Sequence, residues 1–160
     1  MRILIELPSW LGDAVMATPA IENIASFFND SDITLIGSFV AIETLKNHPM
    51  VNTTYVLEKN YFNLFSTIKS LGEFDVFFSF RSSFRSTFSK FFISSSRKYQ
   101  FDKSKFLKIH QVEKYNNFVN DSLENNAKTT KLILHTKKKS DTKASDDAGD
   151  ALAAFFGRPK

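Results

Sequence analysis

Asp13 closes the stretch LPSWLGD, residues 7–13, which separates a short apolar run from a segment with helically spaced apolar residues. A carboxylate between a strand and a helix can do two things. It can cap the helix by accepting hydrogen bonds from the free N–H groups of the first turn. It can also act as a general base, since ligands of open parallel sheets bind beyond the carboxyl ends of the strands. A helix N-terminus favours the charged form such a base needs. Spacing alone leaves both roles open, and they are compatible. Gly12 reads as the residue that permits a close backbone approach or a positive φ. The loop is neither GxGxxG nor followed by GK[ST], so it makes no case for a nicotinamide, flavin or Walker-type site, and no cofactor is expected.

A second group of candidates lies at RSSFRSTFSKFF, residues 81–92. Arg81, Arg85 and Ser89 recur every four residues, as do Phe84, Phe88 and Phe92. That spacing predicts one amphipathic helix, with Phe84 and Phe88 turned to the core. Arg81 and Ser82 fall near the loop or the helix start, on the same rim as Gly12 and Asp13. A guanidinium there offers a planar donor fork for phosphate or carboxylate; an ordinary solvated face is the competing reading. In HQVEKY, residues 110–115, His110 and Glu113 have the spacing of helical metal ligands. They lack a convincing third ligand, so no metal site is expected. His110 is read instead as a helix cap or an anion contact. Lys103, Lys105 and Lys108 interleave with Phe106, Leu107 and Ile109. That pattern suits an anionic membrane surface, a phosphate backbone, or a charged loop with a few apolar anchors.

The elements that must position these residues follow from periodicity. Strands are predicted at residues 2–7, 32–37, 51–57, 74–80, 99–101 and 131–135. Helices are predicted at 13–28, 39–45, 61–71, 81–92 and 110–123, and 94–98 reads as a polar turn. Strands alternating with helices across short turns predict an α/β fold, a Rossmann-like parallel sheet flanked by helices on both faces. Residues 1–139 form the predicted domain. Residues 140–160 change to a Ser, Asp and Ala bias and read as a divergent tail, with a short helix at about 146–156 as one alternative and disorder as the other.

The 160 residues suffice for a single sizeable core. Eighteen are phenylalanine, too many for an ordinary core alone, which predicts an aromatic-rich surface. Cysteine is absent, which excludes disulfides, thiolate chemistry and cysteine-based zinc sites. No apolar run is long enough to span a membrane, and the N-terminus lacks a signal-peptide pattern. Charge is segregated. Residues 1–80 hold 4 basic and 9 acidic side chains, whereas residues 81–139 hold 14 basic and 4 acidic, a net of +10. The second segment suits an anionic partner.

Three blocks together resemble a known family. ILIELPSWLGDAVMATPAI (3–21) is similar to the opening of the ADP-heptose:lipopolysaccharide heptosyltransferases of glycosyltransferase family 9, most like the heptosyltransferase II branch. FDVFFSFRSSFRS (74–86) and HQVEKY (110–115) resemble two later blocks of the same enzymes. The resemblance implies the N-terminal, acceptor-binding half of a GT-B glycosyltransferase. Such an enzyme would transfer L-glycero-D-manno-heptose from ADP-heptose to the lipid A-linked inner core, with inversion. It implies Asp13 as catalytic base and Ser9, Trp10, Gly12, Arg81, Ser83, Arg85 and His110 as acceptor-binding residues. It also implies a cytoplasmic protein, peripheral on the inner face of an anionic inner membrane, with no nucleic-acid partner. Residues 140–160 match nothing of the family's donor-binding domain, so the chain alone is expected to bind acceptor without transferring sugar. A non-catalytic interaction domain and, from charge alone, a basic nucleic-acid-binding module are the other readings.

Overall fold

The computed structural model describes residues 1–58, 60–132 and 134. Five strands carry the fold: β1 (Arg2–Glu6), β2 (Asp32–Gly37), β3 (Val51–Val56), β4 (Glu73–Ser79) and β5 (Ser94–Gln100). They form one sheet in the order β3-β2-β1-β4-β5, and every pair is parallel. The helices are α1 (Leu11–Met16), α2 (Thr18–Phe27), α3 (Phe39–Leu45), α4 (Tyr61–Ser70), α5 (Phe84–Phe92) and α6 (Gln111–Leu123).

The central strands are apolar on both faces, as a parallel sheet covered on both sides requires. Ile3, Ile5, Ile33, Leu35, Val76 and Phe78 join one buried cluster with residues of α2, α3 and α6. Leu4, Ile36 and Phe77 turn the other way, onto Leu64 and Ile68 of α4. Edge-to-face aromatic contacts fasten α6 to the sheet. The ring centroids of Phe80 and Tyr115 lie 5.4 Å apart, those of Phe101 and Tyr115 5.0 Å, and those of Phe101 and Phe118 5.8 Å. Contacts of this kind add about 0.5–1.5 kcal/mol each beyond area burial. They are also what carries Tyr115 to the carboxyl end of the sheet.

Strand order reverses beside β1. From it the chain runs outward to β2 and β3 on one side, then returns to β4 and β5 on the other. The carboxyl ends of β1 and β4 therefore border the crevice where sheets of this type take ligands.

The structure departs from the periodicity in four places. The helix expected at 13–28 is two helices that break at Ala17. Pro19 has no N–H to serve the Val15 carbonyl, and the Thr18 hydroxyl donates to that oxygen instead, at 2.8 Å. The helix expected from Arg81 begins only at Phe84, because Ser83 caps it: its Oγ accepts from the Ser86 N–H. Residues 94–98, expected as a turn, are most of β5. Pairing along β4, from Glu73 opposite Ser94 to Ser79 opposite Gln100, overrides their weak strand preference. Of the strand expected at 131–135, Lys131, Leu132 and Leu134 lie in no strand; its other two positions, the tail 140–160 and the helix at 146–156 lie outside the described residues. Among the described residues, no helix is long and apolar enough to cross a membrane.

Candidate functional site

The loop Pro8-Ser9-Trp10 leaves β1 and turns directly into α1. Trp10 is the N-cap residue, with no side-chain cap bond, and Asp13 is the third residue of the helix, in its first turn. Asp13 is thus not the cap that the spacing allowed; the helix starts two residues earlier than expected. Its side chain is half-buried and lines an open cleft of about 380 Å³ at the strand-order reversal. The loop is held from the neighbouring strand's end. The Ser38 hydroxyl donates to the Ser9 carbonyl at 3.0 Å and also accepts from the Ala41 N–H, capping α3.

The facing wall comes from the β4–α5 loop, through Phe80, Arg81, Ser82 and Ser83, and from Lys103 beyond β5. Gln111 and Tyr115, one turn apart on α6, form the third side. Tyr115 is buried, and burial pushes its phenol well above the usual tyrosine value; the nearby Asp13 charge pushes the same way, and a Gln111 hydrogen bond partly opposes them. The phenol therefore keeps its proton well beyond the usual range.

Of the residues singled out in the sequence, the cleft gathers Ser9, Trp10, Asp13, Arg81 and Ser83. Gly12 sits in the first turn of α1 with no atom within 4 Å of the place a Cβ would take. It therefore relieves no crowding within the chain, and its φ is not positive. Arg85 points elsewhere: its guanidinium donates to the Glu58 carbonyl and lies 5.4 Å from the Tyr61 ring. His110 caps α6, its Nδ1 accepting from the Val112 N–H at 3.4 Å, and lies next to the cleft-lining Gln111 rather than in the wall.

Sequence reasoning missed Tyr115 as a site residue, although it stands in the quoted block 110–115; its spacing from Gln111 puts the two on one helix face. It also missed Glu6, which read as an interruption of an apolar strand. Glu6 is fully buried at the end of β1. A lone charge at the carboxyl end of a central strand was the available signal.

No family model matches the chain. Curated relatives do: lipooligosaccharide heptosyltransferase 2 of Campylobacter jejuni subsp. jejuni serotype O:2 is 39% identical over 142 residues, 87% of this chain and 44% of that protein. The serotype O:6 protein of the same name is 38% identical over the same shares. The chain thus spans less than half the length of these relatives. Among solved structures, E. coli heptosyltransferase WaaC with ADP matches with a TM-score of 0.64 at 15% identity, covering 82% of this chain and 50% of that one. E. coli ADP-heptose lps heptosyltransferase II matches with a TM-score of 0.63 at 16% identity, covering 98% and 50%. These structures share the α/β fold of the chain.

Proposed function

We propose that this chain, related over 142 residues to the heptosyltransferases, is the acceptor-side portion of a glycosyltransferase of the lipopolysaccharide core. In this reading residues 1–139 receive the acceptor, and the length of the relatives that the chain does not span carries the ADP-heptose site. The observation behind it is the position of Asp13: a carboxylate in the first turn after β1, lining an open cleft at the strand-order reversal, opposite Arg81 and Lys103.

The step assigned to the site balances as follows. The Asp13 carboxylate takes the proton of an acceptor hydroxyl. That oxygen forms a bond to the anomeric carbon of the heptose, while the bond from this carbon to the diphosphate breaks and ADP leaves with its electron pair. Attack from the face opposite the leaving group inverts the centre. Ser9, Trp10 and Ser83 shape the acceptor's bed, and Tyr115 supplies a neutral donor beside the base. Arg81 and Lys103 meet an acidic group on a lipid A-linked acceptor. Gly12 and His110, which the resemblance also assigns to acceptor binding, adjoin residues that line this bed, and Arg85, also so assigned, is turned to Glu58 and Tyr61; in this reading the contribution of all three is indirect.

Asp13→Asn tests the assignment. In the chain completed by the donor-side remainder of the C. jejuni relative, D13N should lower heptose transfer about 10²–10⁴-fold, the range a general base supplies. Binding of acceptor to the chain itself should persist. Transfer within a factor of two of the unaltered protein would overturn the role.

A further inference from the structure

Glu6 is the one fully buried carboxylate among the described residues. It stands beside the cleft rather than in it, on the sheet face covered by α5. Its Oε2 accepts from the Ser79 hydroxyl at 2.7 Å and the Ser86 hydroxyl at 2.6 Å. Its Oε1 accepts no hydrogen bond; the group it faces is the Arg81 guanidinium, with Nη1 at 3.6 Å. The Arg81 main chain is held as well: its N–H donates to Ser79 Oγ at 3.3 Å, and its carbonyl accepts from the Gln100 side-chain amide at 3.3 Å. Arg81 is thus anchored at its base and along one side of its guanidinium, and it lines the cleft that holds Asp13.

A buried ion pair is a poor way to stabilise a fold, since well-packed apolar residues of similar volume do as well or better. Two serine hydroxyls satisfy only one carboxylate oxygen, and the other is compensated by Arg81 alone. We propose that Glu6 is a positioning residue: its buried carboxylate fixes Arg81 at the mouth of the cleft so that the guanidinium meets an anionic group of the incoming acceptor. The inference rests on the acceptor-side reading of the cleft, and it names the ligand chemistry there as a phosphate or a carboxylate.

The test is a coupling measurement on the 160-residue chain with inorganic phosphate as probe, followed by NMR at the arginine side-chain nitrogens. Arg81→Gln should weaken saturable binding reported near the cleft by about tenfold or more while leaving a measurable remainder, since Lys103 still lines the cleft. Glu6→Gln keeps the shape and an acceptor for the serines but removes the charge facing Arg81; if positioning dominates, the loosened guanidinium should weaken phosphate binding about fivefold, outweighing the relief of one negative charge near the anion. The double variant should bind no more weakly than Arg81→Gln. Additive losses, or an E6Q protein that binds like the unaltered chain, would overturn the proposal. A second readout needs no Glu6 variant: the Arg81 guanidinium signals of the unaltered chain should show hindered rotation, whereas free rotation would also overturn it. Loss of the D13N effect on transfer would sink the catalytic assignment and leave this coupling measurable, so the two failures are distinguishable.

Discussion

Asp13 and Tyr115 line the same cleft, and the Asp13 charge acts on the Tyr115 phenol. The phenol is held neutral above the ordinary value of 10.0, first by burial and then by the Asp13 charge. In the unfolded chain it releases its proton at about that ordinary value. As pH rises past 10, the unfolded state therefore sheds a proton that the native state keeps, and stability falls. Chemical denaturation should show the unfolding free energy of Tyr115→Phe gaining on that of the unaltered protein from pH 10 upward. A constant offset would argue against the burial. D13N removes the second cause, so phenolate absorbance assigned to Tyr115 by difference against Y115F should begin at lower pH in the D13N background. These two measurements examine the geometry of the site without a donor or an acceptor. Asp13 was legible from its loop because a Gly-Asp pair between strand and helix is a local pattern. Tyr115 was not, because its place in the cleft depends on ring packing against Phe80 and Phe101 on other elements.

At the scale of elements, the loops that build the site are set by caps. Ser38 joins two of them, capping α3 while holding the Ser9 carbonyl. Ser38→Ala should lower the unfolding free energy by about 1 kcal/mol in a urea titration. It should also speed hydrogen exchange in the 8–10 loop, which a pure helix cap would leave alone. Helix α5 shows where periodicity located an element yet placed only part of its inner face. Of the phenylalanine stripe expected inside, Phe88 and Phe92 are half-buried against the core, but Phe84 is 82% exposed, whereas Ser86 and Ser89 are fully buried. The reason is Glu6: a buried carboxylate at the end of β1 needs hydroxyl donors, and Ser86 supplies one of them. Two serines of α5 thus share its inner face with Phe88 and Phe92, Ser86 because the strand beneath carries a charge.

At the scale of the whole molecule, phenylalanine among the described residues ranges from fully buried to largely exposed. Phe77 and Phe78 of β4 and Phe80 just beyond it are buried, whereas Phe39, Phe62, Phe84 and Phe91 are exposed. Phe77→Ala should cost about 3–5 kcal/mol of stability, and Phe84→Ser less than about 0.5 kcal/mol, by denaturant unfolding. Trp10, Leu11, Phe39 and Val40, all exposed, belong to segments that follow the carboxyl ends of β1 and β2, and the cationic Arg81 and Lys103 line the cleft at the same end of the sheet. We propose that this rim rests on an anionic lipid surface when a lipid-linked acceptor is bound. Sedimentation with vesicles rich in anionic phospholipid should carry the chain down at low salt and release it at high salt, with little binding to neutral vesicles. Equal binding to both would remove the electrostatic part of that reading.

Strand–helix alternation, the parallel α/β class and the loop that bears Asp13 were determined by the chain of residues itself, because each rests on neighbours within a few positions: apolar spacing, a glycine, a proline. The tertiary structure decided which polar groups are enclosed. Glu6, Ser79 and Ser86 are separated in sequence and come together only when β4 pairs beside β1 and α5 folds over both. It also decided that Ser94–Gln100 is a strand, since backbone pairing with β4 outweighs local preference. Arg81 and Tyr115 reach the Asp13 cleft for the same reason: strand order in the sheet, not distance along the chain, sets which loops share the carboxyl rim.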